Sequence, residues 1–157
     1  MNLCLLLYVK NIFNILFDFR KSYIKVIFIR VMNYSIQPEQ RNKIVKILKD
    51  ISRQCDLDAI AVVTVEGKEL AFFAQKGTDP AIMAALSSAL NSAGQQAANQ
   101  IKYGVLDQLI IKGTEGFMIL QNAGKVIIFG ASREIFSLAL SMNIINRYKD
   151  EVNNTFD

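Results

Sequence analysis

A chain of 157 residues can build one domain with a substantial core, and its formal charge of +4 comes from 18 Lys and Arg against 14 Asp and Glu. It contains no histidine, which excludes Ser-His-Asp and Cys-His catalysis, imidazole metal ligands and a histidine general base. Its two cysteines, Cys4 and Cys55, have neither metal-ligand spacing nor a disulfide framework, so a reducing cytoplasm is the expected compartment.

The positive charge is unevenly placed. Residues 1–31 hold five basic residues, Lys10, Arg20, Lys21, Lys25 and Arg30, and one acidic residue, Asp18, leaving thirteen of each sign from Met32 onward. The globular part is therefore neutral and lacks the basic footprint of a nucleic-acid-binding domain.

The first 31 residues also use a different alphabet, with no Ala, Gly, Pro, Thr, Glu or Gln. Charges at Lys10, Asp18, Arg20 and Lys21 interrupt the apolar run before it reaches the length of a membrane span. There is no basic start and no small-residue cleavage site for a signal peptide. Two readings stay open: a membrane-surface helix with Lys and Arg around an apolar face, or upstream sequence preceding a true start at Met32. The expected division is an extension at 1–31 and a domain at 32–157, with membrane association only through the extension.

Within the domain, "SIQPEQRNKIVKILKDISRQCDLD" places Pro38 in a first helical turn and repeats Ile44, Ile47, Leu48, Ile51 and Cys55 at helical spacing. Lys43, Lys46, Lys49, Asp50 and Arg53 lie opposite, as on an amphipathic helix covering a core. "AIAVVTVEGKELAFFAQ" then reads as a hairpin, with strands at Ala59–Val65 and Glu69–Ala74 around a turn at Glu66 and Gly67. The unbroken apolar run from Ile60 to Val63 predicts a strand covered on both faces.

A long helix follows, with Asp79 as N-cap, Pro80 in its first position and Gly104 beyond its end. It carries no charged residue from Pro80 to Ile101. At 100° per residue, Ile82, Leu86, Ala89, Leu90, Ala93, Ala97 and Ile101 form one stripe, expected to pack on the sheet. Ala81, Ala84, Ser88, Asn91, Ser92, Gln95 and Asn99 form the opposite, small and uncharged face. That face fits either an interface, whose core is depleted in charge, or a neutral exposed surface of good helix formers.

Three short strands come next, in "LDQLIIK", "FMILQNA" and "VIIFGA", joined by the glycine turns "GTEG" and "AGK". "SREIFSLALSMNIINRYKDEV" is expected to close the chain as a helix capped by Ser132, burying Ile135, Leu138, Ala139, Met142 and Ile145. The fold class expected is α+β: a five-stranded antiparallel sheet sandwiched between one long helix and two others.

No motif for chemistry survives. "EGKE" and "AGKV" contain Gly-Lys but lack the other P-loop elements, and "GTEG" lacks dinucleotide-binding spacing. The pairs Asp56 and Asp58, and Glu66 and Glu69, sit where turns meet water. No catalytic, cofactor-binding or metal-ligating residue is expected.

The "AVVTVEGKELA" hairpin, the small-residue helix "DPAIMAALSSALNSAGQQAANQI" and the run "GVLDQLIIKGTEGFMILQNAGKVIIFGA" between flanking helices resemble the Roadblock/dynein light-chain family, of prokaryotic small-GTPase-regulator type. The resemblance covers roughly Pro38 to Tyr148 and implies a profilin-like sandwich. It also implies a homodimer, or a heterodimer with a paralogue, in which the strand after the long helix pairs with its mate and the long helices lie side by side. The interface implied would hold Ala81, Ala84, Ser88, Asn91, Ser92, Gln95, Asn99, Gln108 and Ile110. The implied function is non-enzymatic: binding and regulating or localising a small Ras-like GTPase, or, alternatively, acting as a scaffold that joins larger complexes without sensing nucleotide. Arg133 and Arg53 are the candidates for contacting a GTPase, where an arginine could neutralise charge on the γ-phosphate.

Overall fold

The computed structural model describes residues 36–74 and 79–156. The predictions for residues 1–31 and for a start at Met32 lie outside the described residues. In chain order the elements are α1 (Pro38–Gln54), β1 (Ala59–Thr64), β2 (Glu69–Ala74), α2 (Pro80–Gln100), β3 (Gln108–Lys112), β4 (Phe117–Ala123), β5 (Val126–Ser132), a 3₁₀ turn (Ile135–Ser137), α3 (Leu138–Arg147) and the short α4 (Lys149–Asn153).

The five strands form one antiparallel sheet in the order β2-β1-β5-β4-β3. β1 lies between β2 and β5, and all six of its residues are buried, as its apolar run requires of a strand covered on both faces. Alternation along the strands divides the core in two. Ile60, Val62, Phe73, Ile119 and Ile128 face a layer made by α1, α3 and α4, where they meet Ile44, Ile47, Leu48, Ile51 and Ile145. Ala61, Val63, Phe72, Leu120, Ile127 and Phe129 face α2. Each fully buried Leu or Ile contributes about 1.5–3 kcal/mol relative to exposure, so the first, larger cluster is the main hydrophobic anchor.

The hairpin and the N-cap of α2 form as the sequence predicts. Gly67 closes the β1–β2 turn at φ +84°, a left-handed conformation that glycine adopts without steric cost. The Asp79 carboxylate accepts from the amides of Ala81 at 2.9 Å and Ile82 at 3.5 Å, and Pro80 follows in the first turn. α2 ends at Gln100, and Lys102 and Gly104 turn the chain at φ 60° and 86°.

The chain's last helix differs from expectation. Ser132 is the final residue of β5, and its hydroxyl accepts from Glu134 N at 3.0 Å without capping an α-helix. The Glu134 carboxylate instead accepts from Phe136 N at 3.3 Å and opens the 3₁₀ turn. Because that turn winds more tightly than an α-helix, the inward face of α3 is offset: Ser141, Ile144 and Ile145 are buried, Ile135, Leu138 and Met142 half-buried, and Ala139 exposed.

Candidate functional site

The long helix α2 meets the sheet with the opposite face from the one its hydrophobic stripe predicts. Ala84 and Ser87 are its buried residues, and Ser88, Asn91, Gly94 and Gln95 on the same side are half-buried. Ile82 and Leu86 are 58% and 47% exposed, Ile101 is 57% exposed, and Ala89, Ala93 and Ala97 are exposed with them. Leu90, at the border of the stripe, alone packs partly against the core.

Volume complementarity explains the reversal. The sheet face below α2 already carries Phe72, Phe129, Ile127 and Leu120, which fill the space between layers. A helix packing over such a surface must present small side chains to keep interior density. A Cβ added at Gly67 would lie 3.2 Å from Ser88 Cβ and 3.5 Å from Ala84 O, and one at Gly94 would lie 2.9 Å from Leu106 Cδ2. α2 thus sits so close to the hairpin and the β3 approach that larger residues have no room. Three of the polar side chains on this side bond within the chain. Ser87 Oγ donates to Met83 O at 2.8 Å, Ser88 Oγ to Val65 O at 2.5 Å, and Gln95 Oε1 accepts from Leu106 N at 2.9 Å.

This arrangement corrects the assignment of faces. Ala84, at 1% exposure, cannot reach another chain, and Ser88, Asn91 and Gln95 belong to the sheet side. Ala81, Ser92 and Asn99 remain exposed at the flanks of the helix, although Asn99 accepts from Gln95 Nε2 at 2.8 Å. Gln108 is also turned inward: its amide donates to Oε1 of Gln121 at 2.8 Å, and the fully buried Gln121 donates to Asp107 O at 3.0 Å. Lys149 pairs with Asp107 from α4. This polar network pins the entry to β3. Ile110, at 38% exposure, does lie open on edge strand β3.

What the helix leaves outward is uncharged. Beyond the stripe of α2, Ile101, Tyr103 at 81% exposure and Val105 at 80% lead to the edge strand β3, where Ile110 and Ile111 are exposed. Leu109 belongs to the α2 side of the core, so by alternation Ile111 shares that side and Ile110 the other. Apart from Lys102 in the turn and Lys112 at the end of β3, no charge interrupts the surface from Pro80 to Lys112 except the engaged Asp107. A monomer seldom exposes such a patch beside an open strand edge, which is itself a template for pairing. The sequence signal for these residues is the hydrophobic stripe itself; assigning it to the sheet hides its outward role.

Arg53 and Arg133 flank the loop between α1 and β1. Arg53 is exposed and pairs with Asp50 at 3.2 Å, while Arg133 is anchored through its backbone amide to Asp58 Oδ2 at 2.7 Å. Arg53 lies on α1, away from α2, and Arg133 directly follows β5 at the end of the sheet. Cys55, buried at the end of α1, has its thiol pKa raised by burial, opposed by the neighbouring Ser141 hydroxyl and the charge of Arg147. Among the described residues no cluster of His, Cys, Asp or Glu could hold a metal ion, and no helix is long and apolar enough to cross a membrane.

Comparison with known proteins places this geometry. The Roadblock/LC7 domain profile matches residues 43–131, more than half of the chain. No curated protein sequence matches it. Among solved structures, Myxococcus xanthus MglB superposes with a TM-score of 0.71 at 18% identity, over 78% of this chain and 94% of that one. The gliding protein MglB from Thermus thermophilus gives 0.67 at 14% identity, over 80% and 93%. A Roadblock/LC7 domain from Streptomyces avermitilis gives 0.57 at 15% identity, over 68% and 95%. These likenesses establish the shared fold, and the matched profile establishes the lineage: the chain belongs to the Roadblock/LC7 family, whose members are regulators or adaptors and not classical enzymes.

Proposed function

We propose that this protein is a non-enzymatic dimeric module that binds a small Ras-like GTPase and regulates or localises it. The observation that carries the dimer is the uncharged surface running from the outward stripe of α2 to the open edge of β3. Pairing β3 with its mate extends the sheet and satisfies its edge, while two α2 stripes covering each other remove Ile82, Leu86 and their alanine neighbours from water. The absence of charge along α2 suits a two-fold axis, near which each residue meets its own copy. Family membership supports the regulatory or adaptor role, and an MglB described as having a tetrameric arrangement supports association between copies as a habit of the fold.

Ala89→Lys tests the dimer because it places a charge at the middle of the outward stripe. Light scattering should report a dimer for the unmodified chain and a monomer for the variant, with the circular dichroism spectrum retained. An unmodified chain that is monomeric at high micromolar concentration would refute the interface. Pull-down of small Ras-like GTPases from the same genome, in GDP and GTP-analogue states, with hydrolysis and exchange rates measured, tests the partner. Indifference of every GTPase, with capture of other complexes, would make the protein a scaffold that does not sense nucleotide.

A further inference from the structure

We infer that the outer surface of the α1 and α3 layer is a docking face for an anionic membrane surface. This goes beyond any anchoring by residues 1–31, because it assigns the contact to the folded domain.

Two independent observations meet on this layer. α1 carries five basic residues, Arg41, Lys43, Lys46, Lys49 and Arg53, against two acidic ones, Glu39 and Asp50, in 17 residues. α2, on the other face of the sheet, carries no charge at all. On α1 the buried residues Ile44, Ile47, Leu48 and Ile51 mark the side against the sheet. At 100° per residue Lys46, Lys49 and Arg53 point directly away from it, with Lys43 at the flank. Lys43, Lys46 and Arg53 are exposed, and Lys49 is half-buried.

The second observation is apolar. Phe136, in the 3₁₀ turn that leads into α3, is 97% exposed, and Leu140 one turn later is 53% exposed. Leu140 and Arg147 lie within about 20° of each other around α3, and Arg147 donates to Gln54 Oε1 of α1 at 2.8 Å. The exposed apolar pair and the basic helix therefore belong to one layer, with the Leu140 and Arg147 flank of α3 turned toward the end of α1. The exposed acids of this layer lie around that face: Glu39 at the start of α1, Asp56 and Glu134 in the loops, and Asp150 and Glu151 on α4.

An anionic bilayer answers both features together. Each Lys or Arg held near such a surface raises partitioning about fivefold, and an exposed aromatic beside basic side chains suits the headgroup boundary. An acidic protein would match the charge but leaves a nearly naked phenylalanine unexplained. The inference also draws on the dimer proposed above. If β3 strands pair and α2 helices lie side by side, both α1 helices fall on the same opposite face, so the basic surface is doubled and bivalent.

The test is co-sedimentation of the full chain with vesicles of phosphatidylcholine alone or with about one-third phosphatidylglycerol, with light scattering on the same samples. The unmodified chain should pellet with the anionic vesicles, less so as salt rises, and remain in solution with the neutral ones. Lys43→Glu with Lys46→Glu should weaken partitioning by at least about tenfold. Phe136→Ser should weaken it about threefold. Circular dichroism confirms that both variants are folded. The inference is overturned if the chain does not distinguish the two vesicles, or if both variants bind like the unmodified chain, which would place binding in residues 1–31. Retention on a polyglutamate resin without vesicle binding would make the face a site for acidic proteins and overturn the lipid assignment. A dimer that ignores vesicles defeats only this inference, whereas a monomer that binds them defeats only the dimer.

Discussion

The two sides of the sheet solve the same packing problem in opposite ways. On the α1 side, large aliphatic side chains of the helices meet large ones of the sheet, and charge faces outward. On the α2 side the strands supply the bulk, the helix supplies Ala84, Ser87, Ser88 and Gly94, and its Ile, Leu and Ala stripe is left outside. The difference teaches that a hydrophobic stripe marks a surface to be buried without saying by what. α1 buries its stripe within the chain, and α2 leaves its own exposed.

Truncation on each side sharpens the contrast most. Leu48→Ala, at a fully buried position of α1, should cost about 2–5 kcal/mol in urea unfolding, independent of protein concentration. Leu86→Ala should cost under about 1 kcal/mol in the dilute chain and appear mainly as weaker self-association. Equal losses at the two sites would erase the distinction between the faces.

Enlarging the small residues of α2 tests its orientation directly. Ala84→Leu should destabilise the fold by about 1–3 kcal/mol through overpacking, whereas Ala89→Leu should leave unfolding of the dilute chain unchanged within about 0.5 kcal/mol. If Ala89→Leu were the costly one, the helix would face the sheet with its stripe after all.

A smaller effect is expected at the start of α2. Asp79→Ala removes the acceptor for two amides of the first turn and should lower stability by about 1 kcal/mol, measured by the shift in thermal midpoint.

The smallest concerns Cys55, on the α1 side, whose thiol pKa is raised by burial. The unfolded chain ionises first as pH rises past the ordinary thiol range near about 8.5. The contribution of this group is therefore complete below that pH and lost as pH climbs toward the folded pKa. Urea unfolding between about pH 8 and 10 should show a decline that is shallower in Cys55→Ala. An unchanged slope would mean that the thiolate is as well accommodated in the fold as in water.

Much of this architecture is legible in the residues taken alone. The core face of α1, the Gly67 hairpin, the double cover of β1, the Asp79 cap and the three-strand meander follow from local rules: apolar period, β-branched runs, turn residues and capping side chains. The last helix is legible only in outline, since the competition between Ser132 and Glu134 for the turn depends on Ser132 being held in β5. The candidate surface is half legible. The charge-free run points to an unusual helix, but periodicity alone places Ala84, Ser88, Asn91 and Gln95 outward, and Ile82, Leu86 and Ile101 inward. Gln108 reads as available for a partner because nothing local reveals that the buried Gln121 holds it.

By itself, then, the sequence determined which segments are helix and strand, that α2 carries no charge, and that neither a histidine nor a P-loop equips the chain for common chemistry. Those properties reside in residue type and spacing along one dimension. Only the tertiary structure decided which side of α2 meets the sheet and which side faces solvent. That choice depends on the volumes already filling the opposite layer: Phe72, Phe129, Ile127 and Leu120 leave room for alanine and serine and none for isoleucine and leucine.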